Sequence, residues 1–163
     1  MSVAYVALGS NLQQPQAQVT QALRELSGLP QTQVIACSSL YRTAPLGYDD
    51  QPDFINAVAR LETSLAPLAL LRALLALEDT HGRERPFPNA PRVLDLDLLL
   101  YDDIAMQTPE LTLPHPRMQT RGFVMLPLAE IAPGLKVGAY GEAAQLAAAC
   151  IDQGVQRMPS DEC

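Results

Sequence analysis

The sequence predicts an α+β fold built on a ferredoxin-like core, and the order of its apolar segments is the main reason. Short apolar or alternating segments, typical of strands, are interleaved with segments whose apolar residues fall at helical spacing. In chain order they read strand, helix, strand, strand, helix, strand, or βαββαβ. The chain has 163 residues, of which 48% are hydrophobic and 18% charged, so it can bury one sizeable core. We predict one domain over residues 1–158 and a flexible tail over residues 159–163.

The first strand and the first helix follow from two patterns near the N-terminus. Residues 3–8 form a short apolar run that ends at Gly9, which predicts a buried strand followed by a turn. Pro15 suits the first turn of a helix, and Gly28 with Pro30 ends it. Between them, four apolar residues fall at helical spacing: Val19, Ala22, Leu23 and Leu26. The pattern therefore predicts a helix that begins at Pro15.

The middle of the chain predicts two more strands and a second helix. Residues 33–41 are rich in β-branched and small side chains, which favours a second strand. Residues 54–61 alternate and predict a third strand, antiparallel to the second. The alternation places four side chains on one face: Phe54, Asn56, Val58 and Arg60. Pro67 then opens a leucine-dense helix over residues 68–78.

The fourth strand carries two carboxylates inside an apolar run. Asp95 and Asp97 are two residues apart, so in a strand they point the same way, roughly 6.5 Å apart along the chain. The opposite face holds Leu94, Leu96, Leu98 and Leu100, whereas Leu99 and Tyr101 continue the carboxylate face. We expect a central strand that is buried on both faces except where the acids emerge. The alternative is a strand that begins at the surface with two solvated acids.

Three further segments follow the fourth strand. Residues 111–117 are predicted to be extended, because their prolines restrict the backbone. Residues 122–130 predict a short helix that is bent or interrupted at Pro127. Residues 142–153 predict an alanine-rich helix that packs through Leu146 and Cys150. We expect no second domain.

The distribution of charge favours a small anionic ligand. A formal net charge of −7 argues against a nucleic-acid partner, which needs a broad basic surface. Yet one window of the chain concentrates basic residues: His81, Arg83, Arg85, Arg92, His115, Arg117 and Arg121. Arginine recognises the oxygens of carboxylates and phosphates in a forked geometry. Carboxylates for Mg²⁺ beside arginines for phosphate are typical of phosphoryl transfer.

The cysteines and the N-terminus favour a cytoplasmic protein. Cys37, Cys150 and Cys163 lack metal-ligand spacing, and we interpret them as reduced thiols. The N-terminus has no basic segment followed by a long apolar run, and no segment reaches membrane-spanning length. We therefore expect a cytoplasmic location and no membrane partner.

Several short segments, in a fixed order, resemble one known family. They are Ala7-Leu8-Gly9-Ser10-Asn11, Ser39-Leu40-Tyr41-Arg42-Thr43-Ala44-Pro45, Gln51-Pro52-Asp53-Phe54-Ile55-Asn56-Ala57, Gly82-Arg83, Pro91-Arg92-Val93-Leu94-Asp95-Leu96-Asp97, Leu113-Pro114-His115 and Arg121-Gly122-Phe123. Over residues 3 to about 133 the chain resembles the 6-hydroxymethyl-7,8-dihydropterin pyrophosphokinases. The resemblance implies an α/β sandwich with a mainly antiparallel sheet. It also implies transfer of the terminal pyrophosphate of ATP to the pterin hydroxyl, which releases AMP in folate biosynthesis.

The resemblance implies an ATP site and a metal site. Asp95 and Asp97 would hold two Mg²⁺ ions on the triphosphate. Arg83 and Arg92 would act in catalysis by neutralising charge as the β-phosphorus is attacked. The implied contacts to ATP are Glu78, Arg85, Arg92, Thr112, His115 and Arg121, with Glu78 and Thr112 nearer the nucleoside. For His115, which lies between two prolines, a structural hydrogen bond to backbone is the alternative.

The resemblance also implies a pterin site. Phe54 and Phe123 would stack on the flat heterocycle, and Asn56 would pair with its polar edge. Thr43, Pro45 and Leu46 would add contacts from the loop after the second strand. The alternative makes both phenylalanines core residues.

Two other functions are alternatives. A metal-dependent nucleotide phosphohydrolase would need the carboxylates and arginines but not the paired phenylalanines. A non-catalytic ferredoxin-like module would bind a small ligand without turnover. For the pyrophosphokinase we expect a monomer whose partners are the small molecules ATP and 6-hydroxymethyl-7,8-dihydropterin.

Overall fold

One main sheet organises the protein, and helices lie on both of its faces. The computed structural model describes residues 1–11, 14–43, 53–81 and 93–159. Within these residues the main sheet has six strands: β1 (Ser2–Ser10), β2 (Thr32–Cys37), β3 (Tyr41–Thr43), β4 (Phe54–Thr63), β5 (Asp95–Tyr101) and β8 (Val155–Arg157). The short strands β6 (Met106–Gln107) and β7 (Thr112–Leu113) form a separate pair. The helices are α1 (Pro15–Leu26), α2 (Pro67–Thr80), α3 (Gly122–Ile131) and α4 (Ala143–Ala149).

The order of the strands confirms the ferredoxin-like prediction. Strand β1 lies between β5 and β4, both β2 and β3 pair with β4, and β8 extends the sheet beyond β3. Each of these pairings is antiparallel. When β2 and β3 are taken as one interrupted strand, the elements from β1 to β5 follow the βαββαβ order. The protein is therefore an α+β sandwich.

The two faces of the sheet carry separate cores. Helices α1 and α2 cover one face, where Val6, Leu8 and Leu61 pack against Leu26 and Leu74. On α1 the four predicted residues are the buried ones: Val19, Ala22, Leu23 and Leu26. Helices α3 and α4 cover the other face, where Tyr5, Val58 and Leu99 meet Met125 and Ala147. Side chains at one end of this second face, Asp95 and Asn56 among them, form part of the candidate site.

The prediction of one unbroken second strand is wrong, because the chain leaves the sheet after Cys37. Ser38 Oγ accepts the N–H of Val58 at 2.9 Å, so a side chain takes the place of a ladder carbonyl. Ser39 donates its N–H to the Glu130 carboxylate at 3.0 Å. The strand resumes at Tyr41, whose hydroxyl donates to Glu130 at 2.7 Å. Burial, reinforced by Glu130, raises the pKa of the Tyr41 hydroxyl above its ordinary value.

The fourth predicted strand is not central, since β5 lies at the edge of the strand order that the structure describes. Its outer side is covered in part by the next segment, where the N–H of His115 donates to the Leu99 carbonyl at 2.8 Å. The register with β1 shifts between Tyr5 and Val6, which leaves Leu99 as an extra residue on β5. This bulge corrects the predicted alternation: Tyr101 joins the core beside Leu98, and Leu100 joins the opposite core with Leu99.

The C-terminal part contains a shorter helix and a strand that the sequence did not suggest. The alanine-rich helix ends at Ala149 and buries Ala143, Ala147 and Cys150. Strand β8 follows, and the N–H of Met158 donates to the Leu40 carbonyl at 2.8 Å. Most of the predicted tail, residues 160–163, lies outside the described residues, so that prediction stays open.

The thiols agree with the sequence prediction in part. Cys150 is free and buried, and burial raises its pKa. The prediction of a reduced thiol is wrong for Cys37, which is disulfide-bonded. Cys163 lies outside the described residues. No helix in the described part of the chain combines the length and apolar character that crossing a bilayer needs.

Candidate active site

The carboxylates of β5 lie in register with a polar amide two strands away. Asp95 pairs with Gly9 on β1, and Gly9 pairs with Asn56 on β4. Asp97 is the next residue of β5 on the same face, opposite Ala7. Because neighbouring strands are about 4.8 Å apart, roughly 10 Å separates the backbones of Asp95 and Asn56. Two different ligands held at these two positions would meet over Gly9.

A pocket opens on the β5 side of this row. Its volume is about 290 Å³, and it lies between α2, β5 and residues 108–116. Four residues predicted for ATP or metal binding line it: Glu78, Asp97, Thr112 and His115. Its apolar wall includes Leu71, Leu75, Leu98 and Leu111. The structure therefore brings residues from three separate segments to one concave surface, as a ligand site requires.

The leucines of this wall were missed in the sequence, although a signal for them exists. Leu71, Leu75 and Glu78 follow one another at i, i+4 and i+7 on α2, so they share one face of the helix. Leu70, Leu74 and Leu77 form the adjacent buried face. Two half-buried leucines followed by an acid on one helix face, next to a row of fully buried leucines, indicate that this face lines a ligand site.

Glu78 is the most buried acid in the described residues, with 2% of its surface exposed. Its Oε2 accepts the N–H of Leu96 at 2.7 Å. The carboxylate thereby joins the end of α2 to the part of β5 that lies between the two aspartates. Glu78 lines the pocket and also fixes the position of Asp95 and Asp97.

One ring nitrogen of His115 makes a structural contact, and the other faces the pocket. Its Nδ1 lies 2.8 Å from the Pro116 carbonyl, an acceptor only, so Nδ1 carries the hydrogen. Its Nε2 faces the pocket, 3.9 Å from Asp97 Oδ1. The structural contact considered for this residue is thus present, and it directs the other ring nitrogen toward the carboxylate.

The residues predicted for the pterin lie on the Asn56 side of the row. Asn56 is buried, and its Nδ2 donates to Thr43 Oγ1 at 3.1 Å. Phe54 precedes it on the same face of β4 and is half-buried. Phe123, in the first turn of α3, is half-buried against the core that covers this face. The guanidinium of Arg121 lies over the Phe123 ring, 5.7 Å from its centre.

The comparisons with known proteins decide the family. The family model of 7,8-dihydro-6-hydroxymethylpterin-pyrophosphokinase matches residues 5–133. The chain belongs to this family. It is 48% identical over 155 residues to 2-amino-4-hydroxy-6-hydroxymethyldihydropteridine pyrophosphokinase of Pseudomonas aeruginosa, covering 95% of this chain and 96% of that one. With the enzyme of the same name from Haemophilus influenzae it shares 48% over 135 residues, covering 83% and 84% of the two chains.

Solved structures agree on the fold of this pyrophosphokinase family member. A crystal structure of wild-type Plasmodium falciparum HPPK-DHPS with pteroate matches with a TM-score of 0.75 at 14% identity. The match covers 96% of this chain and 45% of that longer chain. A structure of HPPK-DHPS in complex with substrates gives a TM-score of 0.74 at 13% identity and covers 96% and 48%. At such low identity these matches support the architecture alone.

The paired carboxylates of the pyrophosphokinase fit a magnesium site. Asp95 and Asp97 are half-buried on one face of a strand, and Asp97 keeps 37% of its side chain exposed. The described residues contain no group of three or more His, Cys, Asp or Glu side chains that could hold a metal. Mg²⁺ commonly binds one or two carboxylates and takes its other oxygens from phosphates and water. A pair of acids beside a ligand pocket matches that pattern.

Five of the predicted site residues lie outside the described residues. They are Arg83, Arg85 and Arg92 of the predicted phosphate site and Pro45 and Leu46 of the predicted pterin site. Their roles stay predictions. The described ends of the arginine segment, His81 and Val93, are fixed by α1 and β1. His81 Nδ1 lies 2.6 Å from Gln18 Oε1, and Ser10 Oγ donates to the Val93 carbonyl.

Gly9 was predicted to lead into a turn, but it lies inside β1 at the centre of the site. A Cβ at this position would be 3.0 Å from Asn56 Oδ1. Only glycine therefore leaves the amide of Asn56 in its present place. A glycine near the end of an apolar strand, followed by Ser10 and Asn11, is the signal that could have identified this close approach.

We expect Gly9→Ala to raise the pterin Kd about ten-fold, because the new methyl group displaces the Asn56 amide by a few tenths of an ångström. Calorimetric titration with the pterin measures this change. Gly134→Ala is the matched control, since a Cβ there meets nothing within 4 Å. Equal pterin affinity in the two variants would contradict a role for the Gly9–Asn56 contact.

Proposed function

We propose that the chain transfers pyrophosphate from ATP to the hydroxymethyl group of 6-hydroxymethyl-7,8-dihydropterin and releases AMP. It is a pyrophosphokinase of folate biosynthesis. The observation that carries the proposal is the row Asp95–Gly9–Asn56, which joins a nucleoside-sized pocket to a polar, aromatic surface. Transfer between two bound molecules needs two adjacent sites that share one charged centre.

The nucleotide occupies the pocket beside β5. Leu71, Leu75 and Leu98 offer apolar surface to a base, and Thr112 and Glu78 offer oxygens to its polar groups. A volume of about 290 Å³ is at the lower end for ligand pockets, so it holds a nucleoside rather than a whole triphosphate. The phosphates then extend past His115 and Asp97 toward Asp95.

The pterin occupies the surface formed by β3, β4 and the start of α3. Asn56 has one N–H engaged with Thr43, which fixes the orientation of the amide toward the ligand. Phe54 and Phe123 supply faces for a flat heterocycle. With the heterocycle held there, its hydroxymethyl group points across Gly9 toward the two aspartates.

The residues of the chain hold the reacting groups in line. Asp95 and Asp97 carry the oxygens that would bind two Mg²⁺ ions together with the phosphates. When bound, Mg²⁺ supplies neutralisation of the charge that develops as the β-phosphorus is attacked. His115 directs Nε2 to the same region, 3.9 Å from Asp97 Oδ1. Arg83, Arg92, Arg85 and Arg121 complete the phosphate contacts in this proposal.

The product tests the proposal. The purified chain is incubated with ATP and Mg²⁺, with and without the pterin, and the nucleotides and pterins are separated by chromatography. Pyrophosphorylated pterin, together with AMP that forms only when the pterin is present, is the expected result. AMP, ADP or phosphate formed equally without pterin would support a nucleotide phosphohydrolase. Binding without any turnover would support a non-catalytic module.

Phe123→Ala should weaken pterin binding by roughly three- to ten-fold more than lost packing explains, while ATP affinity stays nearly unchanged. Aromatic stacking contributes about 0.5–1.5 kcal/mol beyond area burial. Separate calorimetric titrations with the pterin and with a non-hydrolysable ATP analogue measure the two affinities.

Val124→Ala is the control for packing, because Val124 is buried on the same helix with 3% exposure. It should lower the melting temperature without changing pterin affinity. If Phe123→Ala weakens both ligands to the same extent, Phe123 is a core residue and the stacking role is wrong.

Three expectations complete the proposal: Mg²⁺ dependence, a monomer and a cytoplasmic location. Chelation of divalent cations should abolish product formation, and added Mg²⁺ should restore it. Light scattering of the purified chain measures its mass against 17.7 kDa. Fractionation of the source cells tests the compartment.

A further inference from the structure

One side chain from the C-terminal part holds the backbone on both sides of Arg121. Gln153 Oε1 accepts the N–H of Gly122 at 2.7 Å. Gln153 Nε2 donates to the carbonyl of Thr120 at 2.8 Å. The two peptide groups belong to the residues before and after Arg121. A single side-chain amide therefore fixes the peptide group before Arg121 and the peptide group after it, where α3 begins.

Helix α3 lacks a local cap, which explains why this contact is needed. Its N-cap residue is Arg121, whose side chain makes no capping hydrogen bond. The N–H groups of Val124 and Met125 bond to the Arg121 carbonyl at 3.0 and 2.9 Å. The N–H of Gly122 is one of the first-turn donors that a helix cannot satisfy internally. Gln153 satisfies it from a segment thirty-one positions away.

The contact depends on the absence of a side chain at position 122. A Cβ on Gly122 would be 3.1 Å from Gln153 Oε1 and 3.2 Å from the Cys150 carbonyl. The N–H of Gln153 in turn bonds to the Cys150 carbonyl at 3.2 Å, so the turn after α4 fixes where Gln153 stands. Gly122 and this turn pack directly together. The close approach allows one amide to reach both neighbouring peptide groups.

The residues held in this way belong to both proposed substrate sites. Arg121 is predicted to contact ATP and Phe123 to stack on the pterin, and they flank Gly122. Their side chains already touch each other, with the guanidinium 5.7 Å from the ring centre. A rotation of the Thr120–Gly122 backbone would move both side chains at once. Small displacements of groups that position substrates cost large factors in rate.

We propose that Gln153 is a positioning residue for the pyrophosphate transfer, which acts by fixing Arg121 and Phe123 through the backbone between them. This inference rests on the proposed function. Gln153 lies beyond residues 5–133, the part that the family model matches. The C-terminal segment therefore takes part in building the site, in addition to extending the sheet through β8.

The test compares Gln153→Ala with Gln156→Ala. Both glutamines are exposed, and Gln156 lies on β8, where it pairs with Arg42 of β3. We expect Gln153→Ala to lower kcat/KM for both substrates by roughly ten-fold, with a melting temperature close to that of Gln156→Ala. Gln153→Glu keeps the acceptor for Gly122 but loses the donor to Thr120, so it should retain an intermediate kcat/KM.

The outcomes separate this inference from the proposed function. If the unmodified chain forms no pyrophosphorylated pterin, the proposed function fails first. If it does, and Gln153→Ala matches Gln156→Ala in kcat/KM for both substrates, the positioning role is wrong. The positioning role is also wrong if Gln153→Ala lowers kcat/KM only together with its melting temperature and leaves both KM values unchanged. Should Gln153→Ala not fold, Gln153→Glu decides: kcat/KM equal to that of the unmodified chain refutes the role.

Discussion

Replacing Asp97 with alanine should lower turnover by at least about a thousand-fold and leave the fold intact. Asp97 lines the pocket proposed for the nucleotide and shares a strand face with Asp95, so its carboxylate lies where the phosphates are expected to pass. Without it, one of the two acids that would bind Mg²⁺ is gone. The charge that develops during transfer then lacks part of its neutralisation.

The fold should tolerate the change because Asp97 is partly exposed and its removal reduces repulsion with Asp95. Asp103→Ala is the matched control, since Asp103 is an exposed acid in the turn after the same strand. Initial rates of AMP formation, measured over a range of Mg²⁺ concentrations, and melting curves give the two readouts. Near-normal turnover in Asp97→Ala would refute the assignment of this acid to the metal site.

The sequence predicts the elements well where a local pattern determines them. The spacing of Val19, Ala22, Leu23 and Leu26 identifies the buried face of α1 because helical burial is periodic. The second strand was predicted without its break, since the break depends on Glu130, ninety-one positions from Ser39. The edge position of β5 and its bulge at Leu99 are likewise set by pairing with β1. Such long-range contacts leave little trace in a short window of sequence.

In the candidate site, too, a local pattern identifies some residues, whereas long-range contacts alone bring the others together. Asp95 and Asp97 stand out because burying two acids in an apolar run costs free energy unless another group compensates their charge. The convergence of Glu78, Thr112 and His115 on one pocket could only be expected from the resemblance, because their spacing in the sequence is irregular. Gln153 gave no local signal at all. Its role depends on the turn after α4 meeting Gly122 in three dimensions.

Replacing Asn56 with alanine should lower kcat/KM for the pterin by roughly a hundred-fold. Asn56 is 6% exposed, and its amide is fixed by Thr43 and by the close approach of Gly9. Its loss leaves the polar edge of the heterocycle unpaired in a buried site, which costs about 1–3 kcal/mol for each unsatisfied group. The affinity for a non-hydrolysable ATP analogue should change little, because Asn56 lies two strands from β5, which lines the pocket proposed for the nucleotide.

Asn56→Asp separates hydrogen bonding from shape in the same experiment. The carboxylate keeps the size of the amide but removes its donors, and it places a second acid in the row that contains Asp95. We expect it to bind the pterin as poorly as Asn56→Ala. Calorimetric titration of both variants with the pterin and with the ATP analogue, beside their melting temperatures, provides the measurement. If Asn56→Ala keeps pterin affinity within two-fold of the unmodified chain, the heterocycle binds elsewhere, and the row from Asp95 to Asn56 does not join the two substrates.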